Sequence, residues 1–199
     1  MTKVKICGLT RPCDIETVNI EKTDYVGFVF VHSRRRVTPV QAMELRSKLA
    51  NEIIPVGVFV NETIENILSL VQNGVIETVQ LHGTENEDFI VKLKELTTAP
   101  VIKAISVQQA GDVQKWAQTA ADYLLLDSKG GGTGLAFDWS LIGKVTRPYF
   151  LAGGLDMYNI ADAVNQTTPF AVDVSSGVET DGLKDPEKIK EFIRLVRHG

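Results

Sequence analysis

Tyr123-Leu124-Leu125-Leu126-Asp127 stays aromatic or aliphatic until its final carboxylate. A strand with one wet face alternates apolar and polar side chains, whereas an unbroken apolar run is buried on both faces, as in a parallel sheet. Val26-Gly27-Phe28-Val29-Phe30 and Ala171-Val172-Asp173-Val174 read the same way. Outward from these, short apolar or β-branched runs recur at 3–7, 25–30, 55–60, 78–82, 101–106, 123–127, 149–153 and 171–175. Their near-constant spacing leaves room for one helix between each pair. Ile64, Ile67, Leu68 and Val71 fall at helical spacing, as do Val113, Trp116, Ala117 and Ala120. Thr38-Pro39 with Gln41, and Thr84 with Glu87, read as capping boxes ahead of apolar stripes. Asp185-Pro186-Glu187 opens a last helix with Ile189, Phe192, Ile193 and Val196 on one face, and Phe137, Leu141 and Ile142 suggest a sixth.

Eight strand signals alternating with eight helical ones predict an α/β fold, a closed (β/α)8 TIM barrel of eight parallel strands. The alternative, an open doubly wound sheet, usually carries a glycine fingerprint after its first strand; Cys7-Gly8-Leu9-Thr10 is not one. At 199 residues, with no linker-like stretch, the barrel is expected to be one domain over 1–199. Hydrophobic residues make up 44% and charged residues 23%, ordinary globular usage. The net charge of −4 disfavours a nucleic-acid binder, and no apolar run approaches a membrane span. Cys7 and Cys13 are too few for a disulfide framework and no secretory leader is evident, so a reducing, cytoplasmic setting is expected.

In such a barrel, chemistry belongs where the strands end. Those positions hold Cys7, the Ser33–Arg36 run, Asn61, His82, Ser106, Asp127, Gly153-Gly154, and Asp173 with Ser175-Ser176. Gly153-Gly154 and Ser175-Ser176-Gly177 follow strands seven and eight, where backbone N–H groups often bind phosphate; tight turns are the plainer reading. A buried Cys7 is inert packing unless its strand-end position gives it a role. Asp127, at the mouth of an apolar core, is either desolvated and suited to donating a proton or paired with a cation. His82 has no spaced second ligand, so no metal site is expected. Three adjacent arginines form either a solvated turn or, with one aimed inward, a carboxylate clamp. Side-chain alternation along an extended segment would set Arg35 opposite Arg34 and Arg36. Lys129-Gly130-Gly131-Gly132-Thr133-Gly134 lacks the ending of a nucleotide loop and reads as a mobile loop over the mouth.

The motifs Lys5-Ile6-Cys7-Gly8-Leu9-Thr10, Gln80-Leu81-His82-Gly83, Leu125-Leu126-Asp127, Ala152-Gly153-Gly154-Leu155 and Asp173-Val174-Ser175-Ser176-Gly177-Val178-Glu179 occur in one order along nearly the whole chain. In this they resemble the phosphoribosylanthranilate isomerase family. The resemblance implies the third step of tryptophan biosynthesis, an Amadori rearrangement of N-(5′-phosphoribosyl)anthranilate that needs no metal or organic cofactor. By the same resemblance, Cys7 is the general base and Asp127 the general acid. Arg35 contacts the anthranilate carboxylate, because Ser33-Arg34-Arg35-Arg36-Val37-Thr38-Pro39 fits the family's S-x-R-x-[VI]-[ST]-P pattern. His82 and Asp173 are expected near the substrate, and Gly153, Gly154, Ser175 and Ser176 at the phosphate. The partner expected is a small phosphorylated metabolite, with no nucleic acid and no membrane, acting on a monomer or alternatively a homodimer. The competing readings are another phosphosugar isomerase or lyase, or a non-catalytic phosphometabolite-binding barrel.

Overall fold

In the computed structural model, which describes residues 1–128 and 137–198, eight parallel strands close into a barrel in sequence order. They are β1 (Lys3–Cys7), β2 (Tyr25–Val29), β3 (Ile54–Phe59), β4 (Thr78–Leu81), β5 (Val101–Ser106), β6 (Tyr123–Asp127), β7 (Tyr149–Leu151) and β8 (Ala171–Val174). β8 pairs with β1 to close the ring, with Lys5 opposite Asp173 and Ile6 opposite Val174. The α-helices are α1 (Pro12–Ile20), α2 (Pro39–Arg46), α3 (Ile64–Gln72), α4 (Glu87–Leu96), α5 (Ile160–Thr167) and α6 (Pro186–His198). Strand interiors are buried on both faces, as their unbroken apolar runs predict. No described helix is long and apolar enough to cross a membrane.

Two expected helices are single 3₁₀ turns. Between β5 and β6 only Gln114–Trp116 coils, because Arg147 donates to the carbonyls of Trp116, Ala117, Thr119 and Ala121 that a continuing helix would use. Between β6 and β7, Trp139–Ile142 makes one turn, capped by Asp138 and stopped at Gly143, whose φ is 64°. The cap of α4 is also displaced from its expected place. Asn86, not Thr84, accepts from Phe89 N at 3.0 Å. Thr84 instead donates to Asn61 Oδ1 at 3.0 Å, and Glu87 accepts from Ala120 N at 2.6 Å. The Thr38–Gln41 capping box and the apolar stripe of α6 form as the sequence predicts.

The barrel floor is aromatic. Phe150 meets Tyr25 and Tyr123 edge-on at centroid distances of 5.4 and 5.6 Å, contacts worth roughly 0.5–1.5 kcal/mol each beyond their area. Above it two lysines lie inside the sheet. Lys5 pairs with Asp173, and Lys103 with Glu85, both at 2.9 Å. A short hairpin, β9 (Glu179–Thr180) and β10 (Leu183–Lys184), follows β8 and presses against the mouth. The glycine-rich loop expected over the mouth lies outside the described residues.

Candidate active site

The C-terminal ends of the strands surround a cavity of about 520 Å³, lined by Cys7, Arg35, His82, Asp127, Gly153, Gly154, Asp173, Ser175 and Ser176. All nine residues that the resemblance placed in the site therefore face one space, whereas Asn61 at the end of β3 does not line it. Its size suits a small metabolite.

Cys7 ends β1, buried, with Gly27 beside it on β2. A Cβ at Gly27 would stand 2.6 Å from the Cys7 sulfur, so only glycine leaves room for the thiol there. Burial pushes the Cys7 thiol above its ordinary ionisation range, against the opposing pull of the Lys5 and Lys184 ammonium groups. Lys5 has no solvent exposure and donates to Asp173 Oδ1 at 2.9 Å. Lys184, nearly as buried, donates to Ser175 O at 2.9 Å and pairs with Glu179 at 2.7 Å.

Across the cavity Asp127 ends β6, and both its oxygens have partners. Oδ1 accepts from Ser128 N at 2.7 Å, and Oδ2 lies 3.2 Å from His82 Nε2. Gln80 Nε2 lies 2.8 Å from His82 Nδ1. The imidazole bridges the Gln80 amide and the Asp127 carboxyl. Asp127 is thus a buried, hydrogen-bonded carboxyl at the end of a Gln80–His82 chain, not an isolated one.

The arginine run departs from the alternation expected of it. Residues 31–35 bend and turn where an extended segment was assumed, and Arg34 and Arg35 converge on one carboxylate. Arg35 grips Glu179 through Nε at 2.7 Å and Nη2 at 3.0 Å, while Arg34 Nη2 reaches the same group at 2.7 Å. Arg34 is 59% exposed and Arg35 only 16%, so Arg35 alone of the two lines the cavity. Its Nη1 takes no part in the Glu179 contact.

The loops after β7 and β8 pack backbone to backbone: a Cβ at Gly177 would lie 2.0 Å from Leu155 O. The amides of Gly153 and Gly154 have no hydrogen-bond acceptor among the described residues. The Ser175 hydroxyl donates to Cys7 O at 3.0 Å and so ties β8 to β1.

The family model described as "N-(5'phosphoribosyl)anthranilate (PRA) isomerase" matches residues 4–195. The chain belongs to this isomerase family. A curated N-(5'-phosphoribosyl)anthranilate isomerase from Endomicrobium trichonymphae is 47% identical over 99% of both chains. The crystal structure of phosphoribosylanthranilate isomerase from Thermotoga maritima superposes with a TM-score of 0.89 at 38% identity over 99% of each chain. A further structure of the family, in complex with reduced 1-(o-carboxyphenylamino)-1-deoxyribulose 5-phosphate, has a TM-score of 0.87 at 37% identity over 99% of each chain.

Beyond the residues read from sequence, the isomerase cavity contains Gln80 and Ser128. Gln80 Oε1 and Ser128 Oγ are buried with no hydrogen-bond partner among the described residues. Lys5, Glu179 and Lys184 stand behind Cys7 and Arg35. The available signal for the lysine was a charge inside an apolar strand; for Glu179 it was only its place in the β8 motif.

Proposed function

We infer that the chain converts N-(5′-phosphoribosyl)anthranilate to 1-(2-carboxyphenylamino)-1-deoxyribulose 5-phosphate, working as one domain and one subunit. The observation that carries the reading is a single cavity with a thiol at the end of β1 and a carboxyl at the end of β6. In the ring of strands the β7 and β8 loops come between these two, and Arg35 lies beyond Cys7. The substrate's phosphate goes to the β7–β8 loops and its carboxylate to Arg35, which sets the ribose carbons between base and acid.

Asp127 protonates the furanose oxygen as the C1–O bond breaks, and the anilino nitrogen lone pair forms the C1–N double bond. The cation so formed acidifies C2–H, and the Cys7 thiolate removes that proton. The C2–H electrons form the C1–C2 double bond, and the C1–N π pair returns to nitrogen. Protonation at C1 and loss of the C2 hydroxyl proton then give the ketone. The oxidation state of the molecule as a whole is unchanged. A thiol base also calls for a reducing compartment, which fits a cytoplasmic enzyme. Each positioned group supplies about 10²–10⁴-fold, and holding both charged ends adds orientation.

With ribose labelled with ¹³C at C2, enzyme and substrate move the label from the carbinol to the ketone region of the spectrum. Retention of the carbinol signal with folded protein overturns the reading.

Three further results are expected. Arg35→Lys costs about 1.5–3 kcal/mol in kcat/KM, the scale of a charged hydrogen bond that an ammonium does not reproduce. Arg36→Ala, on an exposed side chain, stays within about threefold of the parent. Equal losses in steady-state kinetics of the two variants would mean a diffuse positive field in place of a clamp. Inorganic phosphate competes with substrate through the free Gly153 and Gly154 amides; calorimetry in which phosphate leaves substrate binding unchanged contradicts this placement.

A further inference from the structure

A lysine wholly inside a parallel sheet needs a partner, and Lys5 has one in Asp173. Its ammonium donates to Asp173 Oδ1 at 2.9 Å across the β1–β8 seam, where the register sets the two residues opposite each other. Its side chain also leaves β1 on the same face as that of Cys7, two residues on. The other charged groups around the thiol are Lys184 on β10, Arg35 on the β2–α2 turn, and Glu179 on β9. Glu179 engages both cations at 2.7 Å. Lys5 and Asp173 are thus the charges of opposite sign that act most directly on Cys7.

We propose that Lys5 is a positioning residue for Cys7: its buried ammonium is the counter-charge that lets the thiol ionise, and Asp173 limits how much of that charge the thiolate receives. The proposal rests on the reading of Cys7 as the base. A thiolate withdrawn from water without a counter-ion is strongly disfavoured. Burial is the largest influence on this thiol and moves its ionisation to higher pH; Lys5 is the largest that opposes it, and Asp173 acts with burial. A pair that merely closed the barrel would be lost equally by neutralising either member. An electrostatic pair acts on the thiol with opposite signs.

The test reads the thiol directly, without substrate. In a Cys13→Ser background Cys7 is the only cysteine, and its alkylation by iodoacetamide, which releases iodide and forms a thioether, is followed by intact mass against pH. Lys5→Gln is expected to raise the midpoint by about one unit or more, slowing alkylation roughly tenfold at a pH below both midpoints. Asp173→Asn is expected to lower it. Shifts in the same direction, or fixed midpoints with a lower Tm in both variants, overturn the proposal. If Lys5→Gln does not fold, Asp173→Asn alone decides it: a midpoint unchanged or raised is the contrary result. Because alkylation needs no turnover, this outcome is separate from the fate of Cys7 as base, which the Cys7→Ala kinetics settle.

Discussion

Cys7→Ala is expected to lower kcat by about 10²–10⁴-fold with little change in KM, the signature of losing a group that acts only in the transition state. The substitution is structurally mild. The thiol fills a niche opened by Gly27, and the Cys7 carbonyl still accepts from Ser175. Far-ultraviolet circular dichroism and substrate affinity are therefore retained. The pH profile of the parent carries the sign of the same group. Burial holds the thiol protonated beyond its ordinary range, so the thiolate is scarce at neutral pH and its fraction rises as the solution becomes more alkaline. A folded Cys7→Ala protein with near-parental turnover removes Cys7 from the mechanism.

Asp127→Asn is expected to cost a similar amount, at least about 10²-fold in kcat, because the carboxamide keeps the shape but has no acidic proton to give. Ser128 N still finds an oxygen acceptor, so the β6 end keeps its geometry. His82 Nε2 then faces an amide in place of the carboxyl 3.2 Å away, which alters the end of the Gln80–His82 chain as well. Steady-state kinetics of the folded variant test this. A loss confined to KM would make Asp127 a binding group and send the search for the proton donor elsewhere.

How far this was legible varies with the physics of each element. The eight strands could be read because burial on both faces leaves a continuous apolar run, and Asp127 and Cys7 could be read because the barrel sends strand ends to its mouth. The helices after β5 and β6 misled, since helical spacing at Val113, Trp116 and Ala120 records which side chains face the core and not which group satisfies the carbonyls. Arg147, far along the chain, takes that role. The arginine triplet failed for a similar reason. Alternation holds for a strand, and residues 31–35 turn, so Arg34 and Arg35 meet at Glu179, more than 140 residues away in sequence. Lys5 was visible as a charge within an apolar run, but its partner Asp173 is 168 residues distant, and only closure of the barrel brings them together.

The most direct measurement is turnover itself. N-(5′-phosphoribosyl)anthranilate is generated in situ, and its fluorescence is followed on adding the purified chain. The account predicts a loss of fluorescence proportional to enzyme, reduced by at least about 10²-fold in both Cys7→Ala and Asp127→Asn. Fluorescence decaying at the same rate with and without the folded parent protein would contradict it.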